Sequence, residues 1–498
     1  MPVPWAAVGA AGVERQGEPA GLSRSRVLPR PIVQGEDPAM RSTFGTAMLM
    51  AASSLTWLYA AGGIDTRFGV DGIVVTSTGP GAAPDLQGGL AIQRDDRILV
   101  GGQSYMGEDA GGFQWRVTRY MRNGDIDAAF GVGGSVLTNM SDLGGLDERM
   151  VSLAVQHDGK IVAAGSIQTS SSLDEDSSAL ARFNPDGTLD TSFGDGGKVV
   201  FDVAPGHDFV NQVLVDRSER ILVGGGCQHF FLTRYEADGT LDPSFNREGP
   251  VPGLVITEVS SGENAHDNIL GIVLDERERI VAGGFSITFE DGAPNVDSTL
   301  ARYLPDGTLD TSFNHDGPRP GIVVTSVAPG GGWDVIFDVA LDRHGRILTV
   351  GDAYVGAGTG GFDVALSRYL PDGSLDNSFG SGGIVLTNAG PGDSDDDAQA
   401  VAIQTNGRIL IAGSAAPTAF LVDSDFMVAR YNSNGSLDRS FGVGGIAITP
   451  TGAEGGDDEI WAVAFQSGSR LVASGECDQP STGRDVCLVR YGISDPND

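Results

Sequence analysis

The chain has little of what most linear catalytic motifs require. Three cysteines in 498 residues are too few for a disulfide framework. Cys477 and Cys487 flank one short segment and would bridge neighbouring strands where geometry allows, while Cys227 stands alone. The six histidines are His157, His207, His229, His266, His315 and His344, and none shows a zinc spacing with Cys or another His. A Gly-x-Ser-x-Gly nucleophile elbow and a phosphate-binding loop are both missing. No catalytic and no cofactor-binding residue is therefore assigned, although a site gathered from scattered residues would leave no such motif.

Basic residues are also scarce: 32 Lys and Arg face 66 Asp and Glu, giving a net charge of −34. Such a surface repels nucleic acid and anionic membrane, and both are excluded as partners. The acids are spread along the chain rather than held in one tail, as on a solvated surface. The functional alternative is attraction for cations, calcium first. Aromatics are sparse while glycine numbers 74, which suits many short strands joined by turns.

One long uncharged run occurs, FGTAMLMAASSLTWLYAA, Phe44 to Ala61, just after Met40 and Arg41. A basic start, an apolar centre and a small-residue exit at Ala60 or Ala61 make residues 40–61 a secretory signal peptide. A membrane anchor is the alternative reading, since the run is close to the minimum length of a span. Residues 1–39, rich in Pro, Gly and Arg, read as a disordered extension or an over-extended start ahead of Met40. The expected product is secreted or held at the cell surface.

What is abundant is repetition. LARFNPDGTLDTSFG (Leu180 to Gly194) returns as LARYLPDGTLDTSFN (Leu300 to Asn314), LSRYLPDGSLDNSFG (Leu366 to Gly380) and VARYNSNGSLDRSFG (Val428 to Gly442), with weaker copies from Val117 and Leu232. An Asp-x-x-Phe pair marks each of seven units: Asp65/Phe68, Asp127/Phe130, Asp190/Phe193, Asp242/Phe245, Asp310/Phe313, Asp376/Phe379 and Asp438/Phe441. An Arg-aromatic pair marks them again, from Arg119-Tyr120 to Arg490-Tyr491. Asp158-Gly159, His344-Gly345 and Asn406-Gly407 are two-residue hairpin turns, each followed by Lys or Arg. Runs such as IVAAG (Ile161 to Gly165) are apolar or small on both sides, as in sheets covered on both faces.

Each unit reads as a short first strand (beginning at Ile73, Val136, Val199, Val255, Val323, Val385 and Ile446), a hairpin of two strands, and a fourth strand ending in Arg-aromatic. On this reading Leu180 to Gly194 spans the end of one blade and the passage into the next. The first linker, Ala61 to Gly69, has no Arg-aromatic strand before it, and the last strand, Asp485 to Gly492, has no linker after it. Each end supplies what the other lacks. The expected fold is all-β: a closed seven-bladed β-propeller of four-stranded antiparallel blades over residues 62–492, with a tail at 493–498.

The unit resembles the delta-60 repeat, a bacterial β-propeller repeat, over about Ala61 to Tyr491. The resemblance implies a secreted or surface bacterial protein with no established catalytic activity. The Trp-Asp signature of the commonest propeller repeat and the sialidase box are absent.

Repetition argues that the seven arginines and phenylalanines are joints: Arg182 pairs with Asp190, and each Phe fills the space between blades. Asn184, Asp186 and Asp190 make a turn first and a calcium candidate second, since the closing Glu of a calcium loop is missing. Asp393, Asp395, Asp396 and Asp397 form the other calcium candidate. Calcium is the one ligand ion suggested, and no other cofactor is. Length variation falls on one face, in GEDAGG (Gly107 to Gly112), SSLDEDSS (Ser171 to Ser178), SSGENAHD (Ser260 to Asp267) and GPGDSDDD (Gly390 to Asp397). The expected activity is non-catalytic binding of a protein or glycan by a monomer through these loops. The alternatives are a hydrolase or lyase acting on an extracellular polysaccharide, and a purely structural surface protein.

Overall fold

The structure, a computed structural model, describes residues 63–493 apart from loop segments 80–83, 108–111, 141–147, 169–175, 205, 262–265, 291–292, 329–331, 357–360, 391–394, 417–423 and 453–455. The signal-like segment, the tail and Asp393 lie outside the described residues.

Twenty-eight strands form seven four-stranded antiparallel sheets, and the described residues contain no helix. Seven strands pack against one another in succession around a central axis: Asp85–Ile92, Glu148–Val155, Phe209–Val215, His266–Leu274, Asp334–Leu341, Ala400–Ile403 and Glu459–Gln466. Each opens one blade, numbered here 1 to 7. Blade 2 runs outward as Glu148–Val155, Ile161–Gln168, Asp176–Phe183 and Lys198–Phe201. Its second strand is buried at every position, because neighbouring sheets cover both faces. The outermost strand is four residues long and leaves Val200 47 % exposed.

The phase of the unit differs from the sequence expectation. The short strand is the last of its own blade, not the first of the next: Lys198–Phe201 pairs with the Arg-aromatic strand just before it, Leu180 opposite Val199. Two consecutive tight turns absorb the intervening residues, with bonds from Gly187 N to Asn184 O and from Gly197 N to Phe193 O, so the chain reverses instead of advancing. Leu180 to Gly194 is thus a corner within one blade. The passage to the next blade is the variable connection that follows.

Most of the inner strands carry a bulge, as between Met150 and Ser152. There the second strand comes so close that a Cβ on Gly165 would sit 1.9 Å from the Arg149 carbonyl oxygen. Glycine holds that place in every blade, from Gly102 to Gly475.

The ring closes as the two chain ends required. Ile73–Thr76 is the outermost strand of blade 7, with Ile73 opposite Val489 and Thr76 opposite Val486. A disulfide joins Cys477 to Cys487 in the same blade, their Cα atoms 5.9 Å apart. Cys227 is free and buried, and burial pushes its thiol up to about 11.

Candidate functional site

On one face lie the tight hairpin turns and the corners, repeated seven times. Asp190 shows what they do. Its Oδ2 takes Arg182 Nε at 2.8 Å and Lys160 Nζ at 3.1 Å, and its Oδ1 takes Ser192 N at 3.1 Å and Oγ at 2.6 Å. The Arg182 guanidinium stacks 4.6 Å from the Phe193 ring and donates through Nη1 to the Ala237 carbonyl of the next blade. Phe193 is fully buried under Gly239 of that blade. All seven arginines stack on their phenylalanines, and the seventh pair, Arg490 over Phe68, spans the closure.

Burial alone would raise the Asp190 carboxyl. Hydrogen bonds from Ser192 and Lys160 and the charge of Arg182 outweigh it and hold the group well below the usual range. The basic residue after each hairpin turn joins in: Arg97, Lys160, Arg220, Arg279, Arg346, Arg408 and Arg470 each approach the corner acid. Every charge in this joint is met by another. The residues act as fasteners, as their repetition implied.

The calcium candidates are placed as follows. Asp186 Oδ1 accepts from Thr188 N and Oγ1, Asn184 Nδ2 donates to Thr188 Oγ1, and Asp190 is occupied by its two cations. Asp395 Oδ1 accepts from Phe362 N at 3.0 Å. Asp396 is buried and accepts from Ala389 N and Gly390 N, whereas Asp397 turns to Ser414 and Gln399. Among the described residues no group of three or more His, Cys, Asp or Glu is arranged to hold a metal ion.

The opposite face carries the variable loops, and here the structure adds a feature that sequence reading missed. Each inner strand is led by a buried acid: Asp85, Glu148, Asp208, Asp267, Asp334, Asp396 and Asp458. Each accepts backbone N–H groups from the start of the connection that precedes it, as Asp334 Oδ2 does from Val327 N at 2.7 Å and Asp458 Oδ2 from Thr451 N at 2.8 Å. These acids fold the variable connections back on themselves. The available signal was an acid closing each variable stretch, obscured because the stretches differ in length.

Residues that do not repeat also collect on this face. Over blades 2 to 4, His207 Nδ1 lies 2.9 Å from Asp176 Oδ2 and His229 Nδ1 lies 3.3 Å from Asp267 Oδ2, while burial holds the nearby His266 below its usual value. Over blades 5 to 7 stands a string of carboxyls. Burial and the charge of Asp397 push Asp352 well above the carboxylate range; the same causes bring Glu459 to about 7. Glu476 accepts from Arg484 Nη1 at 3.0 Å. The face also exposes aromatic rings, Trp333 at 40 % and Phe289 at 44 %. A cleft of about 250 Å³ opens instead on the fastened face, between Arg346 and Asn406, lined by the joint itself.

With this geometry in view, comparison with known proteins gives the following. Six stretches match one family model. It is described as a domain of unknown function (DUF5122) β-propeller, and it covers residues 93–130, 156–193, 220–245, 279–313, 345–379 and 404–441. Each stretch runs from the hairpin turn to the corner phenylalanine, the seventh being the one that ring closure splits between the chain ends. No curated protein matches the chain. Solved structures similar to it include a protein of unknown function from Dyadobacter fermentans, 11 % identical over 85 % of this chain and 100 % of that one, TM-score 0.43. A virginiamycin B lyase from Staphylococcus aureus is 9 % identical over 84 % and 98 %, TM-score 0.43. An ulvan lyase of polysaccharide lyase family PL25 is 10 % identical over 87 % and 95 %, TM-score 0.47.

Proposed function

We propose that this protein is a secreted or cell-surface, non-catalytic propeller, built from repeats of the delta-60 kind, that holds a protein or glycan ligand on its variable face. One observation carries the reading: the two faces divide their polar groups differently. On the fastened face each corner acid is met by at least two cations, and the same joint recurs in all seven blades. On the variable face, polar groups and aromatic rings stand outside the repeat, among them Asp352 and Trp333. A rigid ring that varies only in the loops of one face presents those loops. The Cys477–Cys487 disulfide supports an oxidising compartment.

The test is capture from glycan and envelope-protein arrays, followed by Trp333→Ser on the variable face and Val132→Ser on the fastened one. A ligand should be captured, weakened about tenfold by the first substitution and untouched by the second. Indifference to Trp333 and the other rim residues would overturn the reading. Glu459, half-buried and titrating near neutrality, favours a second reading as the general acid of a polysaccharide-cleaving enzyme. Turnover of a polysaccharide that disappears in Glu459→Gln would replace binding with catalysis.

A further inference from the structure

The repeat supplies an internal control for one position. In blade 1 the sixth residue of the second strand, Gln103, accepts Met150 N of the next blade at 3.0 Å. In blade 2 Ser166 accepts Val210 N at 3.2 Å, and in blade 7 Glu476 accepts Gln87 N at 2.9 Å. In these three blades the station ties one blade to the next; in blades 3 and 4 it holds Gly226 and Phe285, and in blade 6 Ser414 bonds Asp397 of its own blade. In blade 5 it is held by Asp352, whose Oδ1 is buried without any hydrogen-bond partner.

Asp352 is not isolated from other carboxyls. Asp397 and Asp395 of blade 6 and Asp334 of its own inner strand act on it electrostatically, whereas Asp363, paired with Ala353, lies on the other face of the sheet. Beyond Asp397 comes Glu459 of blade 7. Glu459 Oε2 is also buried without a hydrogen-bond partner. Arg484, 3.0 Å from Glu476 and 4.0 Å from Glu459, is the cation paired at one end of the string, and among the described residues none pairs with Asp352. Unmet buried acceptors are costly, and a cation that reached them would recover that cost.

We propose that the mouth of the variable face over blades 5 to 7 receives lysine side chains from a basic segment of a partner protein, with Asp352, Asp397 and Glu459 as acceptors. This rests on the binding reading above. Lysine fits better than an amino sugar because the orphan oxygen of Asp352 lies below the surface. A compact ammonium on a thin four-carbon stem reaches it, whereas a sugar carries its nitrogen directly on the ring. A metal ion fits less well, since no three ligand side chains converge among the described residues. The net charge of −34 draws a basic partner toward the protein.

Binding is then coupled to a proton. Burial and the charges of Asp397, Asp334 and Asp395, with Glu459 one step further, shift Asp352 toward its protonated form in the free protein, and an arriving ammonium favours the charged form and releases the proton.

The experiment is calorimetric titration of the whole protein with a deca-lysine peptide at pH 6, 7 and 8, in buffers of different ionisation enthalpy. Affinity should rise at least about fivefold from pH 6 to pH 8, with proton release. Asp352→Asn should weaken binding at least about tenfold and remove the proton release, with an unchanged melting temperature. Asp195→Asn, an exposed acid on the fastened face, should change nothing and so controls for overall charge. The proposal fails if the peptide does not bind, if Asp352→Asn weakens binding no more than Asp195→Asn, or if a chitosan oligomer binds there and the peptide does not. A ligand that maps to the variable face but ignores Asp352 overturns this inference and leaves the binding reading standing; one that maps to the fastened face overturns both.

Discussion

A corner phenylalanine such as Phe193 joins three interactions in one ring. It is packed on both sides by neighbouring blades, covered by a glycine, and capped by the guanidinium of Arg182 at 4.6 Å. Truncating it leaves a cavity between two blades that cannot collapse without moving a sheet. Phe193→Ala should therefore cost about 3–5 kcal/mol. Arg182→Met should cost about 3–5 kcal/mol for a different reason, since it strands Asp190 beside a single remaining cation. Urea denaturation checks both. A loss below 1 kcal/mol in either would mean that the joint is not what fastens the blades. These residues were legible from sequence because identity, spacing and count all repeat. The acids that fold the variable connections were not. Asp208 accepts from a backbone N–H five residues earlier and Glu148 from one eight residues earlier, so no fixed spacing marks them.

The element that decides the architecture is the short strand Ile73–Thr76. The sequence reading makes it the first strand of the first blade, whereas it is the outermost strand of the last. Composition could not settle this, because a four-residue apolar strand pairs equally well with either neighbour. What settles it is the corner, where two turns bring the strand back on the one it has just left. A chain that begins at Ser77 loses this strand together with Asp65 and Phe68, partners of Arg490. Blade 7 would then expose the edge of Gly483–Gly492. The truncated protein should associate, and a peptide covering residues 62–76, added in trans, should restore the monomer. Light scattering after size exclusion reads both outcomes; a stable monomer without the peptide would remove the closing role of the strand.

Across the molecule two sets of carboxyls oppose each other in pH. Burial would raise Asp65, but Arg67 and Arg490 hold it at about 2, and Asp190 is depressed in the same manner. These groups contribute stability above the ordinary carboxylate range and lose it as pH falls through their folded values. Asp208, Asp338 and Glu459 go the other way, each pushed up to about 7, chiefly by burial. Their contribution is present at low pH and is lost as pH rises from about 4 through 7. The melting temperature should therefore peak between about pH 4 and 6 and decline toward pH 8. Asp338 bridges blades 5 and 6 through Val401 N at 2.9 Å, a task that Ser152 performs in blade 2 with a neutral hydroxyl. Asp338→Asn should flatten the alkaline decline in a pH series of thermal melts, and an unaltered slope would show that this carboxyl does not set it.

Gly492 N donates to Gly63 O, so the chain enters and leaves the ring at neighbouring points. Start and finish are thus interchangeable in this topology. A gene cut at any hairpin turn and rejoined across Gly63 and Gly492 encodes the same ring in a new order. Gly63 and Gly492 lie on the fastened face, so a junction made between them leaves the loops of the other face unobstructed.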